Sequence, residues 1–247
     1  MYTQIGRFSL HSYPLYLMLA VTLSALVAAY RLRSVANPRQ QADVLVAALV
    51  VGFVFARLEY VLLNWAVFAQ RPLSMASASV GGLDWHGAAL GALLGLLGVA
   101  RWHRLPTTML LTAFTPAVPM IAFAAWTACR PIGCAYGAEV ATLAYHPIWA
   151  VTEGPDIFGI VAPRYDTATF GQALSWILTV LVGLAWWRGW ASLGSFWFIS
   201  IAFCLGMLLI GRFRGDAAPL WLGQPAYLWL DALLLLGAVF VWWRRRA

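Results

Sequence analysis

The chain has 247 residues, of which 62% are hydrophobic and only 10% are charged, whereas an ordinary globular domain is about half apolar and about a quarter charged. This composition argues strongly against a water-soluble fold. The net charge of +7 comes from arginines, but these are spread over separate loops, so we attribute them to membrane orientation and expect no nucleic-acid partner.

Apolar runs recur along the whole sequence, and each is close to the ~20 residues that an α-helix needs to cross a bilayer. We therefore predict an all-α integral membrane protein with about seven transmembrane helices. A single membrane domain is expected over residues 1–247. The predicted spans are residues 13–30, 44–68, 86–102, 107–128, 169–187, 193–211 and 226–243.

The arginines predict the orientation, because short cytoplasmic loops collect Arg. The first, third and fifth connections and the carboxyl-terminal tail hold Arg31, Arg33, Arg39, Arg101, Arg104, Arg188, Arg244, Arg245 and Arg246. We predict that this side is cytoplasmic and that the amino terminus lies outside. The longest connection, residues 129–168, is then a periplasmic loop between spans four and five. Long ordered loops are often functional.

Two charged residues, Arg57 and Glu59, fall inside the second predicted span. An ionisable group at that depth is costly unless it faces a polar cavity or a partner. Residues two apart on a helix do not face each other, so each needs a partner elsewhere. Both a functional site and a structural ion pair between helices remain open.

A glycine-rich turn, residues 81–87, opens the third predicted span and directs His86 at the outer membrane interface. An imidazole there has two interpretations: a catalytic group, or a satisfied interfacial residue.

More cationic groups follow at the outer ends of later spans, in Arg130 to Glu139 and in Arg212 to Asp216. Arginine suits phosphate because its planar fork donates two parallel charge-assisted hydrogen bonds. We predict that Arg130 and Arg214 share an outer-leaflet anion site beside His86. The alternative is that Arg130 contacts lipid head groups.

The chain has 3 cysteines, too few for a disulfide scaffold or a zinc pattern. Cys129 and Cys134 could form a bond if their loop faces an oxidising periplasm. They could equally be small buried apolar residues.

Several of these stretches, in order along most of the chain, resemble the prolipoprotein diacylglyceryl transferase family. The strongest likeness is Gly81-Gly82-Leu83-Asp84-Trp85-His86-Gly87, which is close to a family signature around a histidine. The others are Ile5 to Tyr13, Ala56 to Leu62, Arg130 to Glu139, and Arg214-Gly215-Asp216 with Gly223-Gln224.

The resemblance implies a bacterial inner-membrane enzyme that transfers a diacylglyceryl group from phosphatidylglycerol to the lipobox cysteine of a prolipoprotein. It assigns His86 as the base for the cysteine thiol, with Arg130 and Arg214 stabilising the departing phosphate. No metal or organic cofactor is expected. Its expected substrate-binding residues are Tyr13, Arg57, Gly82, Glu139, Arg164 and Asp216.

The sequence also departs from the family pattern. Cys134 stands where asparagine is expected, Pro131 looks like an insertion, and Arg214-Gly215-Asp216 is one residue shorter than the family's usual pattern. A second hypothesis is therefore a catalytically degenerate member that acts as a lipid-binding or structural subunit of a membrane complex.

Overall fold

The computed structural model describes residues 2–5, 8–77, 82–190 and 192–244. Gly6, Gly81, Arg245 and Arg246, on which parts of the sequence predictions rest, lie outside the described residues. The described chain is mostly helical. Its α-helices are α1 (Ser12–Leu32), α2 (Pro38–Leu63), α3 (Trp65–Phe68), α4 (Trp85–His103), α5 (Thr107–Phe114), α6 (Ala117–Cys129), α7 (Thr167–Trp187), α8 (Leu193–Gly211) and α9 (Ala226–Arg244).

Within these ranges, 6 helical segments are long and apolar enough to cross a membrane. They are Tyr13–Leu32, Pro38–Leu63, Thr107–Ile132, Thr167–Trp187, Leu193–Gly211 and Ala226–Arg244. The predicted third span is the helix α4, which has 19 residues. It is not among these six segments, so its crossing of the membrane stays a prediction.

Two predicted spans are interrupted. The second was expected to run to residue 68, but α2 ends at Leu63, because the Asn64 side chain donates to the Tyr60 carbonyl at 2.8 Å and closes the helix. The fourth is divided into α5 and α6 around Pro116. Proline has no N–H to donate and its ring disturbs the preceding turn, so a break is expected there.

Helix α4 lies against α2 along a row of glycines. A Cβ atom added at Gly87 would lie 2.4 Å from the carbonyl oxygen of Phe55, and one added at Gly91 or Gly95 would lie 2.5 Å from that of Val51 or Ala47. Small residues at four-residue intervals let two helix backbones approach closely. This packing brings the start of α4, with His86, against the end of α2.

Three two-stranded antiparallel hairpins, which the sequence analysis did not predict, occur in the described chain: one precedes α1 and two lie between later helices. They pair β1 (Tyr2–Ile5) with β2 (Phe8–His11), β3 (Val151–Pro155) with β4 (Val161–Tyr165), and β5 (Leu220–Trp221) with β6 (Gln224–Pro225). The hairpin of β3 and β4 is the ordered centre of the long connection between α6 and α7.

A short extended segment around Ala138 joins that hairpin to the end of α8. Its N–H donates to the Phe213 carbonyl at 2.8 Å, and its carbonyl accepts from the Tyr165 N–H at 3.1 Å. Gly137 and Gly215 leave room for this, since a Cβ at Gly137 would lie 2.1 Å from the Tyr165 carbonyl oxygen. The backbone therefore connects the loops that carry Arg164 and Arg214.

Candidate active site

His86 is buried between two carboxylates. Its Nδ1 lies 2.6 Å from Oδ1 of Asp84, and its Nε2 lies 3.1 Å from Oδ1 of Asp231. Only 3% of His86 and 2% of Asp231 are exposed. The two acids come from distant parts of the sequence and meet on opposite edges of one imidazole ring.

Asp84 holds the start of α4 as well as the ring. It is the N-cap residue, and its Oδ1 accepts the backbone N–H of His86 at 2.9 Å. Its own N–H donates to the Ala56 carbonyl of α2 at 3.0 Å. A capping carboxylate also interacts favourably with the positive end of a helix. The local sequence around His86 thus fixes one side of the ring by itself.

Glu59 completes the polar cluster from α2. The N–H of Gly87 donates to its carboxylate. Ligand atoms of Glu59, Asp84 and His86 all lie within 4.8 Å of one another, a spacing that could hold a metal ion. However, Nδ1 of His86 and Oδ1 of Asp84 lie 2.6 Å apart and bind each other, which leaves no room for an ion between these two atoms.

Arg214 lies beside this cluster. Its Nε and Nη2 donate to the two carboxylate oxygens of Asp216 at 2.7 and 2.5 Å, and its guanidinium lies 4.2 Å from the centre of the Tyr227 ring. Burial by itself lowers the pKa of Arg214, but the Asp216 carboxylate outweighs burial and raises it, so the group stays charged.

The charges of these residues change one another's pKa values. Burial by itself raises the pKa of Asp84, but the hydrogen bond and charge of His86, together with the charge of Arg214, outweigh burial and lower it. Asp231 in turn acts on Arg214. His86, Asp84, Asp231 and Arg214 therefore form one group, called here the histidine cluster.

Arg164 lies on β4, in the long connection between α6 and α7. It is 5% exposed, and its Nη2 lies 2.9 Å from Glu139 and 3.2 Å from Asp156. Asp156 also accepts the N–H groups of Phe158 and Ile160 at the turn between β3 and β4. Arg164 thus fixes the shape of this hairpin.

A cavity of about 230 Å³ opens between the hairpin of β3 and β4 and the ends of α6 and α7. Arg130, Arg164, Glu153 and Asp166 contribute the charged part of its lining, which has no net charge. Neither His86 nor Arg214 lines it. The cavity therefore brings Arg130 and Arg164 together, and a site shared by Arg130 and Arg214 stays a prediction.

Arg130 is held at the edge of this cavity by one acid. Its Nη2 lies 3.0 Å from Oδ2 of Asp166, and 52% of its side chain is exposed. Asp166 is itself fixed as the N-cap of α7, where it accepts the N–H of Thr169 at 2.9 Å. Arg130 has a defined position and an accessible surface.

Arg57 has a different environment from the one expected of a substrate ligand. Its guanidinium donates to the backbone carbonyls of Ser74, Met75, Ser77 and Gly82 at 2.7 to 3.0 Å. It thereby fastens the connection between α3 and α4 to α2. Neither of the interpretations drawn from sequence included backbone carbonyls as its partners.

The other predicted substrate residues are in varied places. The Gly82 carbonyl accepts a hydrogen bond from Arg57. Tyr13 stands in the first turn of α1 and is half-buried. Glu139 pairs with Arg164 but is 64% exposed, and Asp216 holds Arg214. No direct contact joins Tyr13 to the histidine cluster among the described hydrogen bonds.

Cys129 and Cys134 form a disulfide, with Cα atoms 4.9 Å apart. The bond closes the turn that carries Arg130 and contributes to the cavity wall. Cys204 is free and buried. Of the two interpretations of the first pair, the bonded one is the one observed.

Asp231 received no role from the sequence analysis, although an acid in an apolar span is a functional signal. Its partner is 145 residues away, so the sequence could flag Asp231 without pairing it. Asp84 was visible within the glycine-rich turn, but no role was assigned to it.

Comparison with known proteins gives matches along the whole chain. The prolipoprotein diacylglyceryl transferase family matches residues 1–243. Similar proteins called phosphatidylglycerol–prolipoprotein diacylglyceryl transferase occur in Synechocystis sp., 32% identical over 47% of this chain and 41% of that protein, and in Shouchella clausii, 30% identical over 47% and 43%. These two alignments span less than half of each relative's length. A relative from Nostoc sp. is 26% identical over 98% of this chain and 89% of its own length.

Proposed function

The chain belongs to the prolipoprotein diacylglyceryl transferase family, and from this premise we propose that it transfers a diacylglyceryl group from phosphatidylglycerol to the lipobox cysteine of a prolipoprotein. Both substrates enter from the membrane. The relatives named above carry this activity in their names. Neither a nucleic acid nor an organic cofactor takes part in this proposal.

The reaction is an alkyl transfer at carbon. The cysteine sulfur attacks the glyceryl carbon that carries the phosphate, a C–S bond forms, and the C–O bond to phosphate breaks. Glycerol phosphate leaves with the electron pair of that bond, and the thiol proton passes to a base. A thiol with a pKa of about 8.5 is mostly protonated at neutral pH, so a positioned base accelerates the attack.

The buried His86 held between two acids is the observation that supports this chemistry most directly. A positioned imidazole next to carboxylates is a suitable acceptor for the thiol proton, because the acids orient the ring and stabilise the cation that forms. His86 lies at the start of α4, where a cysteine at the outer membrane surface would arrive.

Arg214 is suited to the departing phosphate. Its bond to Asp216 uses Nε and Nη2, and in the described part of the chain Nη1 donates to no other group. A pre-positioned cation lowers the energy of charge that develops on the leaving group. Arg130, half-exposed at the cavity edge, supplies a second cation to the head group in this proposal.

We propose that the protein crosses the bacterial inner membrane about seven times, with α4 as the additional span. The amino terminus lies outside and the carboxyl terminus in the cytoplasm. The chain forms a single domain over residues 1–247, and residues 129–168 face the periplasm. The Cys129–Cys134 bond supports this orientation, because disulfides persist in oxidising compartments and not in the cytosol.

The test is single-turnover lipidation of a lipobox peptide by the purified full-length protein in bilayers containing phosphatidylglycerol. Mass spectrometry should detect the peptide carrying a diacylglyceryl thioether, together with glycerol phosphate. A peptide with serine in place of the lipobox cysteine is the control. Complementation of a conditional transferase-deficient bacterium tests the same activity in cells.

The second candidate is a noncatalytic subunit that binds lipid or stabilises a membrane complex. One observation favours it: Arg130, Arg164 and Arg214 each pair with an acid of the same chain, so an incoming phosphate meets partly neutralised cations. Failure of both peptide lipidation and complementation, by a protein that still binds phosphatidylglycerol, would support this candidate over the enzyme.

A further inference from the structure

Asp231 is the acid of an otherwise apolar helix, α9, and is almost completely buried. A carboxylate at such a position is costly unless another group compensates it. Its described hydrogen bond is to Nε2 of His86, at 3.1 Å. Arg214 and Tyr227 also lie within its electrostatic reach.

Asp84 and Asp231 contact opposite edges of the His86 ring. Asp84 binds Nδ1 and the backbone N–H of the same residue, so it anchors only the near edge. The far edge, Nε2, is held by Asp231 from a different helix. The orientation of the ring therefore depends on α9 being packed beside α4.

We propose that Asp231 is a positioning residue for His86. This inference rests on the proposed transferase function, in which His86 takes the thiol proton. A neutral imidazole donates through only one of its nitrogens; with Nδ1–H donating to Asp84, Nε2 is the nitrogen that accepts the thiol proton. During attack, the proton that leaves the cysteine thiol is held between Nε2 and the Asp231 carboxylate, while the sulfur electron pair forms the C–S bond.

Helix α4 also provides a matched control. At the other end of α4, Nε2 of His103 lies 2.8 Å from Oδ2 of Asp43. This second pair has the same chemistry, but its acid is 43% exposed. Asp43→Asn changes an Asp–His pair of α4 without touching the histidine cluster.

The kinetic test uses full-length Asp231→Asn, Asp231→Glu and Asp43→Asn in bilayers containing phosphatidylglycerol. Loss of an orienting partner typically costs about 10- to 100-fold in activity. We expect kcat of Asp231→Asn to fall by that range with KM for lipid and peptide unchanged. Asp231→Glu should recover part of the loss, because it restores the carboxylate, and Asp43→Asn should equal the wild type. Wild-type kcat for Asp231→Asn would overturn the proposal.

A second readout does not depend on turnover. In protein labelled with ¹⁵N-histidine, the ring resonances of His86 are assigned by their loss in His86→Gln. We expect Nδ1 of wild-type His86 to show a proton shared with Asp84 and Nε2 to be the nitrogen that takes up a proton, with Asp231→Asn changing the Nε2 resonance. Asp43→Asn should change only His103. An Nε2 resonance that is the same in the wild-type protein and in Asp231→Asn overturns the positioning role.

The two failures are distinguishable. If the wild-type protein lipidates no peptide but Asp231→Asn alters the Nε2 resonance, the proposed function fails and the positioning contact stands. If the wild type is active and neither kcat nor the resonance responds to Asp231→Asn, the positioning role fails and the transferase stands.

Discussion

A buried guanidinium must satisfy its donors, and Arg57 and Arg214 do so in different ways. Arg57 donates to backbone carbonyls of one connection. Arg214 binds a carboxylate through Nε and Nη2, and in the described part of the chain Nη1 makes no hydrogen bond. The first arrangement fixes the fold, and the second leaves a donor for the phosphate in the proposed function.

Arg57→Lys should therefore destabilise the protein. An ammonium on a flexible stem cannot reach the same set of carbonyls, and each buried bond to a charged group contributes about 1.5 to 3 kcal/mol, so a loss of about 3 kcal/mol is expected. Thermal unfolding followed by tryptophan fluorescence measures it. Arg33→Lys, which changes an exposed arginine bonded to Tyr30, is the control and should unfold like the wild type.

His86→Gln should remove the base but not the fold. General-base contributions are about 10²- to 10⁴-fold, so single-turnover lipidation should slow by that range. Insertion and phosphatidylglycerol binding should persist, because glutamine can still hydrogen bond to the acids. Equal rates for variant and wild type would remove His86 from the mechanism.

How far the site could be predicted depended on the sequence distance between its residues. His86 and Asp84 were visible together, because a helix cap is a local pattern. Asp231 could be flagged as costly but not paired, since its partner lies in another helix. The role of Arg57 was also unpredictable, because every residue has a backbone carbonyl and the sequence does not indicate which of them Arg57 binds.

At the scale of elements, the packing of α2 against α4 brings Glu59 and His86 together. It depends on glycines that face α2, but not every glycine of α4 does. A Cβ at Gly91 would lie 2.5 Å from the Val51 carbonyl oxygen, whereas a Cβ at Gly98 has nothing within 4 Å. The sequence predicted a helix here, but could not tell these glycines apart.

Gly91→Ala and Gly98→Ala should therefore have opposite effects. Overpacking at Gly91 should cost about 1 to 3 kcal/mol. At Gly98, alanine should be neutral or stabilising by up to about 1 kcal/mol, because it favours the helix. Thermal unfolding of the two variants checks this. Equal destabilisation by both would contradict the close approach of α2 and α4.

The turn that carries Arg130 is an element fixed by a covalent bond. Removing the bond by Cys129→Ala with Cys134→Ala should lower stability by about 2 kcal/mol, since the closed loop is short. The bond itself is measured by thiol labelling under denaturing conditions. Cys204 alone should react before reduction, and all 3 cysteines after it. Labelling of all three without reduction would show that the bond is absent.

At the scale of the whole molecule, the spans were the most predictable feature and the loops the least. Apolar length fixes a transmembrane helix locally, and the predicted span 193–211 coincides with α8. The hairpin of β3 and β4 was not predicted, because Asp156 and Arg164 order it through a buried ion pair. Such a pair is recognisable only once the chain has folded.

The predicted orientation of the whole molecule would place the histidine cluster on the outer face. The prediction rests on the arginine-rich connections being cytoplasmic. Single cysteines introduced at Tyr145, which is 87% exposed in the connection between α6 and α7, and at Arg188 report the two sides. A membrane-impermeant maleimide should label position 145 in intact spheroplasts and position 188 only after permeabilisation. The native cysteines are bonded or buried, so the unaltered chain is the background control. Labelling of position 188 from outside would reverse the topology and move the proposed site to the cytoplasmic face, away from secreted substrates.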